Sequence, residues 1–347
     1  MSPLYFVRAC VCAAVLCCMS PLVLAQQPTI RLATLAPKGT TYHQELLAMK
    51  QVWAKAPGGG ANLIIYTDGT QGGEAAMVSR MRQGQLQAAL LTVTGLTEID
   101  DSVAALQNMP MMFRSVGELE YVRNALRPDL EKNFKAKGFI VLFWGDAGWG
   151  RFFSKKQGMT PDDFRKMKIF TWAGYTKATE LWKAAGFQPV ELEITDILTG
   201  LSTGLVDCVT SEPYYSLAGQ FYKPAPHMLN LKWAPLVGGA VMTEKAFNTL
   251  SPQTQKVVLE SAAETGKKLT AEQRKESEEA ITAMKTKFGL QVHELTPELE
   301  AQWRAECEKF YPKIRGSIVP ADMFDKVQSL LAEYRAQHPE EATQAKP

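Results

Sequence analysis

Histidine and cysteine are scarce in this chain. The 347 residues include four histidines, His43, His227, His293 and His338, and no two have the spacing of a metal site. Of the six cysteines, Cys10, Cys12, Cys17 and Cys18 fall within the first 25 residues. The remaining Cys208 and Cys307 are too few for a disulfide framework; one bridge and two buried thiols are both open. The glycine patterns that cradle phosphates or dinucleotides are absent, so no cofactor and no metal are expected. Neither sign of charge dominates, with 38 Lys and Arg against 36 Asp and Glu. That balance gives no reason to expect nucleic acid or an anionic membrane as a partner. Nor is any stretch apolar over the ~20 residues that a membrane-spanning helix needs.

The first 25 residues form a segment of their own. Arg8 is the only charged side chain before Gln27, and an apolar run of about 11 residues, 9–19, comes after it. Ser20-Pro21 and then Leu22-Val23-Leu24-Ala25 complete the pattern of an export signal cut after Ala25. Neither Val11 nor Leu16 nor Cys17, which precede Cys12, Cys17 and Cys18, is the small residue that lipoprotein processing prefers. The expectation is a protein that works, as a monomer, outside the cytoplasm.

From about Thr29 onward the chain alternates strands and helices. Segments 29–35, 62–67 and 88–93 read as strands, with helices over 42–55 and 74–83 between them. Ser115-Val116-Gly117-Glu118 is a capping box opening a helix to about Leu126, and 139–144 is an apolar strand. Thr160-Pro161-Asp162-Asp163 opens another helix, and 168–172, 190–193, 206–210, 228–233 and 238–242 are further strands. Such βαβ repeats predict parallel sheets covered by helices.

Ser251-Pro252 caps a helix that no proline interrupts before Phe288, a length of ~55 Å. Its ends are apolar and its middle, 270–279, is nearly all polar, which suggests a solvent-exposed strut joining two lobes; a break near Gly266 is the alternative. The fold class is therefore α/β, two-lobed and like a periplasmic binding protein, with a long helix spanning both lobes. Lobe I comprises 28–149 with 238–270, lobe II 150–237 with 289–335, the connecting helix 252–288, and 338–347 a disordered tail.

No catalytic set stands out. Gly200-Leu201-Ser202-Thr203-Gly204 matches G-x-S-x-G, but a nucleophile elbow needs a strand before the serine and a helix after it, and here the order is reversed. Two lobes, a strut and no catalytic group describe a ligand trap better than an enzyme.

Four motifs then resemble one family. They are Arg31-Leu32-Ala33-Thr34, the turn Asp68-Gly69-Thr70-Gln71-Gly72-Gly73-Glu74, the run from Thr160 to Ile169, and Leu201-Ser202-Thr203-Gly204-Leu205-Val206-Asp207. In order and spacing, over about 29–318, the chain resembles the DctP-type solute-binding proteins of TRAP transporters. The resemblance implies a periplasmic receptor that closes on a small-molecule ligand and delivers it to membrane permease subunits.

The departures bear on the ligand. Where the family usually carries an Arg that clamps a carboxylate, this chain has Phe170, and a second family Arg aligns with Gly150, one place before Arg151. The Asn that the family carries after its Val-Asp-Gly turn has no counterpart in Cys208-Val209-Thr210-Ser211-Glu212-Pro213. Aromatic residues stand at the strand ends instead: Trp144, Trp149, Phe152, Phe170, Trp172, Tyr175, Tyr214, Tyr215 and Trp233. This exchange predicts an apolar or weakly polar ligand, because an unpaired carboxylate in such a site would be costly to desolvate. The expected ligand-binding residues are Thr34, Gln71, Trp149, Arg151, Phe170, Trp172, Tyr175, Glu212, Tyr214 and Trp233. An organic acid held by Arg151, and a ligand-presenting module independent of a permease, are the alternatives.

Overall fold

Ile30 and Leu32 lie on one face of a short strand and lose all but a trace of their solvent contact, which seeds the first of two sheets. The computed structural model describes residues 27–340; the expected export signal and residues 341–347 of the expected tail lie outside them. In chain order the first four strands are β1 (Thr29–Thr34), β2 (Asn62–Tyr66), β3 (Ala88–Thr92) and β4 (Phe139–Trp149). The chain then crosses to a second sheet for β5 (Arg151–Ser154), β6 (Lys168–Trp172), β7 (Gln188–Leu192), β8 (Cys208–Ser211) and β9 (His227–Leu229). It returns as β10 (Pro235–Thr243) and ends in the second sheet with β11 (Gln291–His293).

The first sheet has the order β2-β1-β3-β10-β4 and the second β11-β9-β5-β8-β6-β7. Both are mixed, which corrects the expectation of parallel sheets. β10 runs antiparallel to β3 and β4, and β5 antiparallel to β8 and β9. The cause lies in the crossings: a chain that leaves one sheet along β4 and comes back along β10 must reverse direction. The two crossings are bonded to each other, since Gly150 N donates to Ala234 O (2.9 Å) and Trp233 N donates to Gly150 O (3.2 Å).

The long helix, Pro252–Phe288, is unbroken. Ser251 Oγ accepts from Thr254 N at its start, and Gly289 ends it in the left-handed conformation (φ 76°). Val258, Ala262 and Leu269 enter the core of the first lobe, and Ala280 and Met284 that of the second, so the helix spans both. Gly266 has a packing role: a Cβ there would lie 2.6 Å from Phe143 Cβ, so only glycine lets the helix approach β4 this closely. The middle is exposed on one face, at Glu272, Lys275, Glu278 and Glu279, and buried on the other, which the reading as an exposed strut did not foresee. Thr270, Gln273 and Ser277 are buried against the crossings, with Ser277 Oγ 3.2 Å from Ala147 O.

The end of the chain also departs from the expected division. Phe324, Val327 and Leu331 of the helix Ala321–Gln337 share a core with Leu119, Leu126 and Leu130 of Val116–Ala136, in the first lobe. Arg335 pairs with Glu118 across that contact (2.6 Å). Residues 289–335 are thus split between the lobes rather than belonging to the second. Val116–Ala136 itself runs ten residues beyond the expected end, through Pro128, because Leu130 and Phe134 continue its buried face.

Candidate functional site

The carboxyl ends of β1, β3, β6 and β8 converge between the lobes, where Thr34, Thr92, Trp172 and Ser211 end their strands. They enclose an inter-lobe chamber of about 130 Å³. Tyr42, one residue into the helix after β1, and Tyr214 and Tyr215, in the first turn of Pro213–Ala218, project into it, while Leu269 and Thr270 of the long helix close one side. A second, aromatic chamber of about 190 Å³ lies against it, lined by Trp182, Trp233, Trp303, Phe187, Tyr175 and Phe310 among others. The two chambers share Phe170, Trp172, Thr210, Ser211, Glu212 and Leu236 as a common wall.

Three carboxylates line the inter-lobe chamber, and each is occupied by the protein. Glu74 accepts from Thr92 N and Thr92 Oγ1 (both 2.6 Å) and from Gly95 N (2.9 Å). Asp146 accepts from Arg123 Nη1 (2.9 Å) and from Arg274 Nε (2.9 Å) and Nη2 (2.7 Å). Glu212 caps the helix that comes after it, accepting from Tyr214 N and Tyr215 N, and from Ser277 Oγ of the long helix (2.9 Å). Burial pushes the Glu212 carboxyl up to about 7 despite these donors. Burial also raises Glu74. Burial first, and then the nearby Glu212 and Asp146 charges, raise the Tyr42 phenol well above its ordinary range, so it stays protonated and able to donate.

Among the described residues, no Lys, Arg or His lines either chamber. One polar atom is left over: Thr210 Oγ1, in the shared wall, is buried and has no partner in the protein. Cys208 and Cys307 are both free and buried. Cys307 lines the aromatic chamber, and burial pushes its thiol up to about 12, which keeps it unreactive. Ser202 is exposed on the helix Ile197–Thr203 and donates to its own turn, to Leu198 O (2.7 Å).

The structure brings together Thr34, Phe170, Trp172, Tyr175, Glu212, Tyr214 and Trp233 of the expected residues, all of which line one chamber or both. Three others lie elsewhere. Trp149 is buried in the core of the first lobe, as is Trp144. Phe152, also among the aromatic candidates, packs against Phe164 and Trp303. Gln71 is half-buried outside both chambers and accepts from Arg80. Arg151 is turned away: successive strand residues face opposite sides of a sheet, and Gly150 is the one that meets the aromatic chamber. Arg151 Nε instead donates to Asn230 Oδ1 (2.7 Å), and the acids nearest it are Glu278 and Glu294.

Sequence reasoning missed Tyr42, Glu74, Asp146, Trp182 and Leu236. Trp182 carried a usable signal, since Ala178, Leu181, Trp182 and Ala185 fall at helical spacing and all four line the aromatic chamber. Glu74 and Asp146 carried none, because their partners come from distant parts of the chain.

The model of the family described as "DctP: Bacterial extracellular solute-binding protein, family 7" matches residues 32–316. The 2,3-diketo-L-gulonate-binding periplasmic protein of Escherichia coli is 25% identical over 222 residues, covering 62% of this chain and 66% of its own. The C4-dicarboxylate-binding periplasmic protein DctP of Rhodobacter capsulatus is 26% identical over 198 residues, 56% of this chain and 59% of its own. Among solved structures, a TRAP periplasmic solute-binding protein of Ralstonia eutropha with bound (S)-2-acetolactate has a TM-score of 0.81 at 19% identity, covering 88% of this chain and 99% of that one. Two lobes joined by crossing strands, a chamber at the converging strand ends and a match over most of the described residues lead to one assignment: the chain belongs to the bacterial extracellular solute-binding proteins of family 7, the DctP family.

Proposed function

We propose that this protein is the periplasmic receptor of a TRAP-type secondary transporter, and that its solute is uncharged or weakly polar rather than a carboxylate. It is exported through a signal cut after Ala25, works as a monomer, closes its lobes on the solute and delivers it to the permease subunits. The observation that carries the choice of solute is the lining of the chambers. No cationic side chain of the described residues reaches either one, and the inter-lobe chamber holds three carboxylates. A solute carboxylate there would be desolvated with no counter-ion of its own, since Arg123 and Arg274 are spent on Asp146. The two positions at which the family resemblance implies Arg are Phe170 and Gly150; both line the aromatic chamber, and Phe170 lines the inter-lobe chamber as well. Relatives of this fold were solved with acids: acetolactate, D-glucuronate and orotic acid. This chain keeps their architecture and lacks a cation to meet such a ligand.

Thermal shift of the purified protein tests the reading. Uncharged alcohols and phenols raise the melting temperature, and acetolactate, glucuronate and orotate leave it unchanged. The opposite pattern, with acids stabilising and uncharged solutes inert, overturns it.

A further inference from the structure

Three arginines from three elements gather on the turn 110–114, and none of them lines either chamber. Arg114 ends the turn, Arg304 comes from the helix Pro297–Glu308 and Arg335 from the helix Ala321–Gln337. The turn is tightly held. Met111 lies in the left-handed region (φ 57°), which a side chain adopts only where its surroundings enforce it. Tyr311 Oη donates to Pro110 O (2.7 Å), Arg304 Nη1 to Met111 O (2.8 Å) and Arg335 Nη2 to Met112 O (2.8 Å). These successive carbonyls are therefore occupied. So is the nearest carboxylate: Glu118 Oε1 accepts from Arg335 Nε (2.6 Å), and Oε2 accepts from Arg335 Nη2 (3.0 Å) and Arg114 N (2.7 Å). Glu300 pairs with Arg304 (2.8 Å).

No acceptor remains for the half-buried Arg114 guanidinium. None of its nitrogens has a partner among the described residues; Nε is closed off from solvent, and the terminal Nη1 and Nη2 are not. Burial and then the Arg335 and Arg304 charges hold its pKa below the ordinary guanidinium value, and Glu118 and the exposed Glu308 only partly oppose them. A cation kept beside two like charges is relieved when an anion joins it, and an unpartnered polar group of this kind marks the place of an ion or water. The fork of an arginine presents paired N–H groups to two oxygens of an oxyanion. We propose that Arg114, Arg304 and Arg335 form a site for a small tetrahedral oxyanion of the phosphate or sulfate kind. Arg114 binds it through Nη1 and Nη2, and the other two supply the flanking charge. Trp303 and Cys307 seat the helix of Arg304 in the core of the second lobe, and Phe324, Val327 and Leu331 seat that of Arg335 in the first, so the anion joins elements of both lobes. The site lies apart from both chambers and is independent of the charge of the solute.

Inorganic phosphate is the probe, titrated into the mature protein in chloride buffer at constant ionic strength and followed by calorimetry and by melting. Binding is saturable with a Kd of about 1 mM, and at roughly fiftyfold that concentration the melting temperature rises by about 3–5 °C. Arg114→Gln removes a like charge as well as the fork. Without phosphate it melts no lower than the wild type; with phosphate its rise is lost and binding weakens at least about tenfold. If that variant does not fold, Arg114→Lys takes its place; it keeps the charge without the fork and binds phosphate about fivefold more weakly. Absence of saturable binding to the wild type overturns the site. So does a rise that grows with phosphate and never saturates, which is general salt exclusion. Binding that is unchanged in the Arg114 variants puts the anion elsewhere, the solute chambers included, and also overturns it. An Arg114→Gln protein that melts lower in both buffers yet binds phosphate as the wild type does has lost a structural arginine, and the site fails on that result too.

Discussion

The two chambers share a wall and differ in how each is held. The inter-lobe chamber is kept open by electrostatics: Glu74, Asp146 and Glu212 are each pinned by two or more donors, from both lobes and from the long helix. The aromatic chamber is held mainly by packing, ring against ring, with Trp303 fully buried between Phe152 and Phe164 and its Nε1 donating to Met159 O. The first kind of wall can respond to pH and to lobe closure. The second responds to volume, and changes in it are felt as cavities or clashes. One wall is thus fixed by buried carboxylates and their donors and the other mainly by packed rings, and substitutions can address each separately.

The largest effect is expected in the packed wall. Trp303→Ala removes a fully buried indole and the bond from Nε1 to Met159 O, and costs about 3–5 kcal/mol in urea unfolding. Were the loss below about 1 kcal/mol, the chamber would be collapsible rather than preformed. On the shared wall, Phe170→Arg tests the difference from the acid-binding relatives directly. It supplies the missing cation beside Glu212, so stability falls by a few kcal/mol at most. In return, affinity for acetolactate or orotate rises roughly tenfold to a hundredfold, the worth of a hydrogen bond to a charged group. An Arg there that leaves acids unbound would mean that the ligand is not seated at Phe170.

Glu212 sharpens the polar side of the comparison. Its folded carboxyl holds a proton up to about pH 7, while an unfolded one loses it near the ordinary value of 4.5. Between those values the folded state binds more protons, so this group's contribution to stability falls as pH rises from about 4.5 to about 7, by up to ~1.4 kcal/mol per pH unit. Glu212→Gln removes that slope. It also leaves one of the amide donors of Tyr214 and Tyr215 facing an NH2 group, so the variant is less stable at low pH and closest to wild type near neutrality. Urea unfolding at pH 5 and pH 7 reads the difference; equal slopes in the two proteins would assign the pH dependence elsewhere.

How far these parts could be read in advance depends on the range of the forces that make them. The long helix was legible because its signals are local: Ser251-Pro252 starts it, Gly289 stops it, and no proline lies between. The order of strands and helices along the chain was legible for the same reason. What sheets they formed was not, since the antiparallel course of β10 depends on where the chain crosses lobes. The docking of Phe324, Val327 and Leu331 on the first lobe was equally hidden, because a helix's apolar stripe does not name its partner. At the site, Phe170 and Gly150 stood out only against the family pattern, and nothing local foretold that Glu212 would bond Ser277 across 65 residues. Polar contacts of long sequence separation escape periodicity altogether.

Arg151 is the smallest expected effect and the most direct check on which way the crossing strand faces. It sits one residue from Gly150, and a one-residue slip of that strand would exchange their faces and put a guanidinium into the aromatic chamber. In the structure the register is fixed on both sides, with Arg151 opposite Ser211 and Phe152 opposite both Thr210 and Leu229. Arg151 is only 3% exposed, its Nη1 is unpartnered, and burial depresses the guanidinium to about 10, so it remains charged at neutral pH. Arg151→Met keeps the length of the stem and removes a buried charge that only Asn230 bonds directly. Such a replacement shifts stability by about 1–2 kcal/mol in either direction, because the lost hydrogen bond is offset by the charge that no longer has to be desolvated. Affinity for 1-octanol and the absence of response to acetolactate both stay as in the wild type. If acids stabilise the wild-type protein and lose that effect in Arg151→Met, the strand is turned the other way in solution, the solute is an acid, and the contrast between the two chambers no longer explains selectivity.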